Sequence, residues 1–198
     1  MEFADWNSQS VIGIGICGSS SMANTGGTDS MNYHTGTAAS SRTTAGAVQY
    51  RNIENPWGNI WEWIDGVNFS DGTVYVCTTP ANYADDTTTG YTNAGTKMQS
   101  DGWIKAIGIS SAAPWAFFPT EVGGSETTYI PDYAYYNSGW RVLNVGGNYS
   151  NTTGNVGLFN FNANNTSSNS NSNVGARLLV FSLIGAGFSS PLGENIAA

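Results

Sequence analysis

The sequence predicts an α+β domain in which strands are interrupted by long polar loops, and three observations carry that expectation. Apolar and aromatic residues recur with a period of two in several short blocks, the signature of half-buried strands. Between those blocks lie stretches of Gly, Ser, Thr and Asn with few charges, which suit turns and loops better than helices. Aromatic residues make up 13% of the 198 residues, whereas charged residues are only 10%, against roughly 25% in ordinary domains. Such a chain has enough large apolar side chains for a core and too little polar periodicity for a helical bundle. The length fits one domain spanning residues 1–198, since domains commonly run to about 100–200 residues.

Taken in order, Val11–Cys17 (VIGIGIC) alternates β-branched residues with Gly and reads as a strand beside another backbone. The Gly/Ser/Thr/Ala-rich segment 18–47 reads as a long loop, and Thr43–Glu54 as a short helix ended by Pro56. In NIWEWIDGVNF, Ile60, Glu62 and Ile64 alternate with Trp61, Trp63 and Asp65, again a strand. Asp71-Gly72 offers the positive φ angles of a tight hairpin turn, with Val74–Cys77 returning. Thr78–Ser100 reads as an insertion loop, Asp101–Ser110 as a strand or short connection, and Ala113–Pro119 (APWAFFP) as an apolar loop whose aromatics plug the core. Further strands are expected around Tyr133–Ser138, Gly139–Val145 and Val174–Ile184, the tail beyond lying at the periphery.

Composition excludes several functions. The net charge is −8 with six Lys and Arg, too few for a face that neutralises nucleic-acid phosphates. No run reaches the roughly 18 apolar residues of a spanning helix, so membrane insertion is not expected. A basic region followed by an apolar one is missing at the start, so no signal peptide is expected. Cys17 and Cys77 sit among apolar residues and read either as buried thiols or as a disulfide. The single histidine, His34, cannot supply an imidazole cluster for redox iron or a recognisable Ser-His-Asp arrangement. No P-loop or metal-spaced Cys/His cluster occurs, and Asp85-Asp86 reads as solvated loop surface.

Three motifs point to a family. NPWGNIWEWIDG (Asn55–Gly66) resembles the GN-x-WEW element of the formylglycine-generating-enzyme superfamily, GWRVLNVGGNYSN (Gly139–Asn151) its R-V-x-x-GG-x-W element, and NVGARLL (Asn173–Leu179) its closing I-G-F-R strand. Tyr149 stands where Trp is usual, and Ala176 where Phe is. The resemblance implies a C-type lectin fold, with Trp61, Trp63, Gly146, Gly147 and Arg177 as scaffold. Arg177 would hold a carboxylate such as Glu62 or Asp65. The superfamily's oxidases work through a C-terminal cysteine pair, but no Cys follows Gly139. Calcium-dependent sugar-binding relatives use EPN, QPD or WND motifs, which are missing too. Catalysis, metal and cofactor are therefore not expected, with an oxidase of this fold and a non-diversified virion structural protein as the alternatives.

Within the superfamily, the Asn-rich run at 141–177 resembles the variable proteins of diversity-generating retroelements. Their template adenines are misread, mainly in AAC codons, so every residue type becomes reachable except Lys, Glu, Gln, Met and Trp. None of those five occurs from Arg141 to Arg177. The resemblance implies a variable ligand-binding region in which Asn144, Asn148, Tyr149, Ser150, Asn151, Thr153, Asn155, Leu158, Asn160 and Asn162 are exposed and diversified, with Asn164, Asn165 and Asn169 behind them. Gly154, Val156, Gly157, Phe159 and Phe161 are expected to be frame. Thr166–Asn173 is low enough in complexity to be read alternatively as a loop without a binding role. The expected partner is a protein or glycan on a host or neighbouring cell, met from a phage tail or bacterial surface, with homo-oligomerisation as a route to avidity.

Overall fold

The computed structural model describes residues 35–37, 48–50, 53–54, 57–58, 60–96, 99–125, 127–130, 132–151, 157 and 159–176. Strands β1 (Thr35–Thr37), β2 (Val48–Tyr50) and β3 (Ile53–Glu54) form a small antiparallel sheet. The remaining strands are β4 (Trp61–Ser70), β5 (Thr73–Val76), β6 (Thr92–Thr96), β7 (Gly102–Ser110), β8 (Ala113–Val122), β9 (Tyr133–Tyr136), β10 (Trp140–Val145), β11 (Phe161–Ala163) and β12 (Val174–Gly175). They make one nine-stranded sheet in the order β6-β5-β4-β10-β11-β9-β7-β8, with β12 parallel to the start of β4. The described residues are thus strand-rich, and their helical content is one 3₁₀ turn at Pro80–Asn82. This corrects the helical part of the expectation: Thr43–Glu54 supplies β2 and β3 instead. Its apolar residues lack helical spacing, so nothing held that segment in a helix. Among the described residues no helix is long and apolar enough to cross a membrane.

Asp71 and Gly72 take φ values of 47° and 84° and close the β4–β5 hairpin, the pair of positive angles a two-residue turn of this kind requires. Asp71 also ties the hairpin to β10, its carboxylate accepting from the Gly139 N–H at 2.7 Å. Earlier in β4 the ladder to β10 breaks: Leu143 lies opposite Ile64, but Val142 lies opposite Asn68. Asp65, Gly66 and Val67 therefore bulge from that ladder. Gly66 makes the bulge feasible, with φ at 78° and an added Cβ only 2.7 Å from the Cys77 carbonyl oxygen. Bulges re-aim side chains, and this one leaves Asp65 exposed while Val67 stays buried.

The sheet closes over its own apolar face. Gly102 and Trp103 of β7 pair with β9, whereas from Ile104 onward β7 pairs with β8. In a flat sheet β8 would lie three strands, about 14 Å, from β11. Instead the Phe118 and Phe161 ring centroids are 6.2 Å apart, edge to face, and Phe161 meets Phe69 at 5.6 Å on its other side. The β7–β8 hairpin has folded back so that Phe118 and Ile104 join Phe69, Val74, Val76 and Leu143 in one core. Ala113–Pro119 is accordingly a strand and not a core-plugging loop. Its period of two turns Phe118 inward and leaves Trp115 58% and Phe117 51% exposed. Together with Leu143, Val145 and Phe159 they line an apolar groove of about 540 Å³. Cys77 is a buried free thiol; Cys17 and the strand expected at Val11–Cys17 lie outside the described residues.

Candidate ligand-binding face

The Asn-rich run begins where β10 ends. Gly146 and Gly147 both take left-handed angles, φ 86° and 73°, and a Cβ on Gly146 would sit 3.2 Å from the Trp57 Cα. The chain can turn there only because both residues lack side chains. Asn148 then organises the turn. Its Oδ1 accepts from the Ser150 N–H at 2.7 Å and from the Ser150 hydroxyl at 2.6 Å, while its own N–H donates to Asn151 Oδ1 at 2.7 Å. Tyr149 and Ser150 are left exposed at the tip, the Tyr149 hydroxyl 3.2 Å from Ser172 Oγ.

Exposure was expected at Asn144, Asn148, Asn160 and Asn162, and the structure corrects it: all four are buried, Asn144 completely. The reason lies in the side chain. A carboxamide carries a donor and an acceptor, so it can replace peptide partners that an irregular loop lacks. Asn144 Oδ1 accepts from Asn165 Nδ2 at 2.7 Å, and Asn162 Oδ1 from the Asn164 N–H at 2.8 Å. Asn160 helps by its backbone, its carbonyl accepting from the Gly146 N–H at 3.2 Å. Asn151 is half-buried, with Nδ2 3.4 Å from the Tyr135 hydroxyl. Thr153, Gly154, Asn155, Val156, Leu158 and Arg177 lie outside the described residues. Gly157 is buried, and Phe159 is half-buried beside the exposed Phe117.

Residues 164–173 carry the exposed polar surface. The backbone of this stretch is pinned by Val142 N–H to the Asn165 carbonyl at 3.0 Å and by Trp61 N–H to the Asn173 carbonyl at 2.8 Å. Side chains add a ladder: Asn137 to Asn164 at 2.9 Å, Asn169 to Asn165 at 3.4 Å, and Asn171 to Asn169 at 3.0 Å. Asn164, Thr166, Ser168, Ser170, Asn171 and Ser172 are exposed along it, and Asn165, Ser167 and Asn169 half-buried.

This stretch forms one wall of a cleft of about 830 Å³. Trp63, Asp65 and Val142 line it from the sheet, Ser167, Asn169 and Ala176 from the Asn-rich wall, and Pro80, Tyr83 and Asp85 from the facing loop. That loop is held from below by the buried Asn68, whose Nδ2 donates to the Ala84 and Thr87 carbonyls at 2.8 and 3.0 Å. Ser167 Oγ donates to Asp86 Oδ2 at 3.1 Å and links the two walls. A second recess of about 200 Å³ shares Asp65, Tyr83 and Asp85 with the cleft and is closed by Tyr91 and Ala84. Burial, then the negative charges of Asp86 and Asp65, hold the Asp85 carboxyl above its ordinary value.

Sequence reasoning missed this fixed wall. Trp63, expected as scaffold, lines the cleft half-buried, whereas Trp61 is buried and packs edge-to-face on Tyr135 at 6.0 Å. The available signal was the Asp65-Gly66 pair interrupting a period-two strand, which marks a bulge. Among the described residues no three His, Cys, Asp or Glu side chains converge as metal ligands.

The raised Asp85 value gives a test with a definite sign. A carboxyl raised by folding contributes stability fully only below its unfolded-state value, and that contribution is lost as pH rises through the folded value. Asp85→Asn is therefore expected to raise Tm slightly at pH 7, with the gain vanishing by about pH 3, where the wild-type group is protonated. Thermal melts of both proteins at the two pH values check it; a fall in Tm at pH 7 contradicts it.

Comparison with known proteins adds no relative: the chain shows no significant match to a protein-family model, a curated protein or a solved structure.

Proposed function

We propose that the chain is a C-type-lectin-like binding protein whose C-terminal face is diversified by retroelement-driven adenine mutagenesis, serving attachment from a phage tail or bacterial surface. The observation that carries this reading is the Asn-rich wall itself. Small polar side chains stand exposed along residues 164–172, the stretch whose half-buried Ser167 and Asn169 border the cleft, on a backbone whose hydrogen bonds run to β10 and β4. Such a surface can change its side chains without changing its frame, and loops on a stiff scaffold are where binding function concentrates. Tyr, Ser and Asn suit the task, because aromatics supply rigid area and small polar groups adapt. The partner is a protein or glycan on a host or neighbouring cell, and the protein acts by binding without a cofactor.

The buried asparagines narrow the diversified set. Among the described residues, ligand-facing variation belongs to Tyr149 and Ser150, to Asn164, Thr166, Ser168 and Ser170, and to Asn171 and Ser172, all exposed; Thr153, Asn155 and Leu158 keep their expected place in the set. Asn144, Asn148, Asn160 and Asn162 belong to the frame. Deep sequencing of codons 139–179 across a population carrying the gene tests the proposal. The expected result is substitution at first and second codon positions of the exposed set, sparing the four buried asparagines and the glycines. Codons no more variable than the rest of the gene would remove retroelement diversification and leave a fixed interface.

A further inference from the structure

The core is open at one end. Ile64, Leu143, Val145, Phe117, Phe159 and Phe161 border the apolar groove of about 540 Å³, and Trp115 and Phe117 stand more than half exposed on it. Single apolar side chains at a surface mean little, but a patch continuous with a core marks a contact. The sheet shows which part of the chain arrives there. β12 runs parallel to β4, with Val174 opposite Trp61 and Gly175 opposite Glu62. Ala176, the next residue, lines the cleft with Trp63. The register therefore holds one residue beyond the strand, since paired residues share a face. The same edge of β4 is closed shortly afterwards. The Cys77 N–H donates to the Gly66 carbonyl at 2.8 Å, and β5 takes the edge from Val67 onward. A chain continuing along β4 has to leave the plane of the sheet near Asp65, onto one face or the other.

The two faces differ in chemistry. The cleft side offers Asp65, Asp85, Ser167 and Asn169, whereas the groove side offers Ile64, Val67, Leu143 and Val145. The sequence that follows is Leu178–Ile184 (LLVFSLI), apolar at every position but Ser182. Removing such side chains from water favours the apolar face by roughly 25 cal/mol per Å² covered. We infer that residues 178–184, which lie outside the described residues, cross the groove and close the open end of the core. Carried on in register, alternate positions share the face of Ile64, which turns Leu179, Phe181 and Leu183 toward the groove. The reach suffices: seven extended residues span roughly 23 Å, and β4 to β11 is two strand spacings, about 10 Å. Val11–Cys17, also apolar and outside the described residues, has no such link, because the chain next enters them at Thr35 in the three-stranded sheet. The seating has a consequence for the Asn-rich wall. β12 follows that wall directly, so an occupied groove fixes its far end, where the Trp61 N–H donates to the Asn173 carbonyl.

The test uses the full chain with the photoreactive p-benzoyl-phenylalanine in place of Phe117, a position exposed enough to accept it. Irradiation and peptide mapping are expected to show an intramolecular crosslink to residues 178–184. Phe181→Asp in the same chain should cut the yield about tenfold, because a carboxylate is costly against an apolar wall. Hydrogen exchange supplies a second readout. The same substitution should speed exchange at the Trp61 amide about tenfold or more, through local opening of the wall's anchor. The Ile104 amide, bonded to the Asp132 carbonyl in the core, should keep its protection. Crosslinks confined to Val11–Cys17 or another part of the chain, crosslinks between two copies, or no crosslink at all each overturn this seating. An unchanged yield in Phe181→Asp overturns it as well. Should that variant unfold, seen as lost protection at Ile104, the crosslink map of the Phe181 chain decides alone.

Discussion

Phe161→Ala is expected to destabilise the protein by about 3–5 kcal/mol, the cost of deleting a buried aromatic ring whose cavity cannot collapse. Phe161 touches both halves of the core in edge-to-face geometry, Phe69 of β4 at 5.6 Å and Phe118 of β8 at 6.2 Å. Removing it takes away the contact that holds the β7–β8 hairpin over the sheet. It also joins the lost volume to the apolar groove that Phe161 already lines. Urea unfolding followed by fluorescence gives the value, and Phe161→Leu should lose less because most of the volume stays filled. A loss under about 1 kcal/mol for the alanine variant, within the range of ordinary surface substitutions and small effects, would mean that the hairpin does not depend on this packing.

Gly157→Ala should cost about 3 kcal/mol, a large effect for one methyl group. A Cβ built at Gly157 falls 2.0 Å from Asp132 Oδ1 and 2.6 Å from its Cγ. The carboxylate cannot easily step aside. Asp132 is completely buried, its Oδ2 accepts from the Phe159 N–H at 2.6 Å, and its carbonyl accepts from the Ile104 N–H at 3.0 Å. Moving it loosens the strand that carries the hairpin and the segment that enters β11. For a chain of this size the expected fall in Tm is roughly 6–12 °C. A double-mutant cycle with Asp132→Ala locates the cause: the combined loss should be clearly smaller than the sum, because the clash needs both groups. Additive losses would place the effect elsewhere.

Local features were the legible part of the fold. Asp71-Gly72 announced its hairpin because the turn conformation is set by two residues, and Gly146-Gly147, expected as scaffold, take the positive φ angles that glycine adopts readily. The period-two pattern of β4 was equally readable, and of the two readings open for Asp101–Ser110 the strand is the one formed, as β7. What the chain does at a distance was not. APWAFFP reads as core filler by composition, yet its strand period exposes Trp115 and Phe117, and only the return of β8 over β11 determines which side is inside. The insertion loop read at Thr78–Ser100 hides β6, whose sequence TNAGT carries no apolar alternation; it is a strand because β5 offers it an edge.

The candidate site shows the same division. Residue types along 141–177 pointed to a polar binding surface, but polarity did not reveal which asparagines face water. Asn144 and Asn171 are identical in sequence terms and opposite in burial. The difference arises because Asn144 sits on the β10 ladder under Asn165, a partner 21 residues away. Asp65 and Asp85 were invisible as a pair for a similar reason, since it is the bulge at Gly66 and the tether from Asn68 that bring strand and loop together.

In the proposed reading, a fixed hydrogen-bonded frame carries an interchangeable polar surface. A saturation scan of residues 144–173, with each variant displayed on cells and scored for protease resistance, tests it most directly. Broad tolerance is expected at Tyr149, Ser150, Asn164, Thr166, Ser168, Ser170, Asn171 and Ser172, and sharp loss at Asn144, Asn148, Asn160, Asn162, Gly146 and Gly157. Uniform tolerance across both sets, or loss concentrated at the exposed positions, would contradict it.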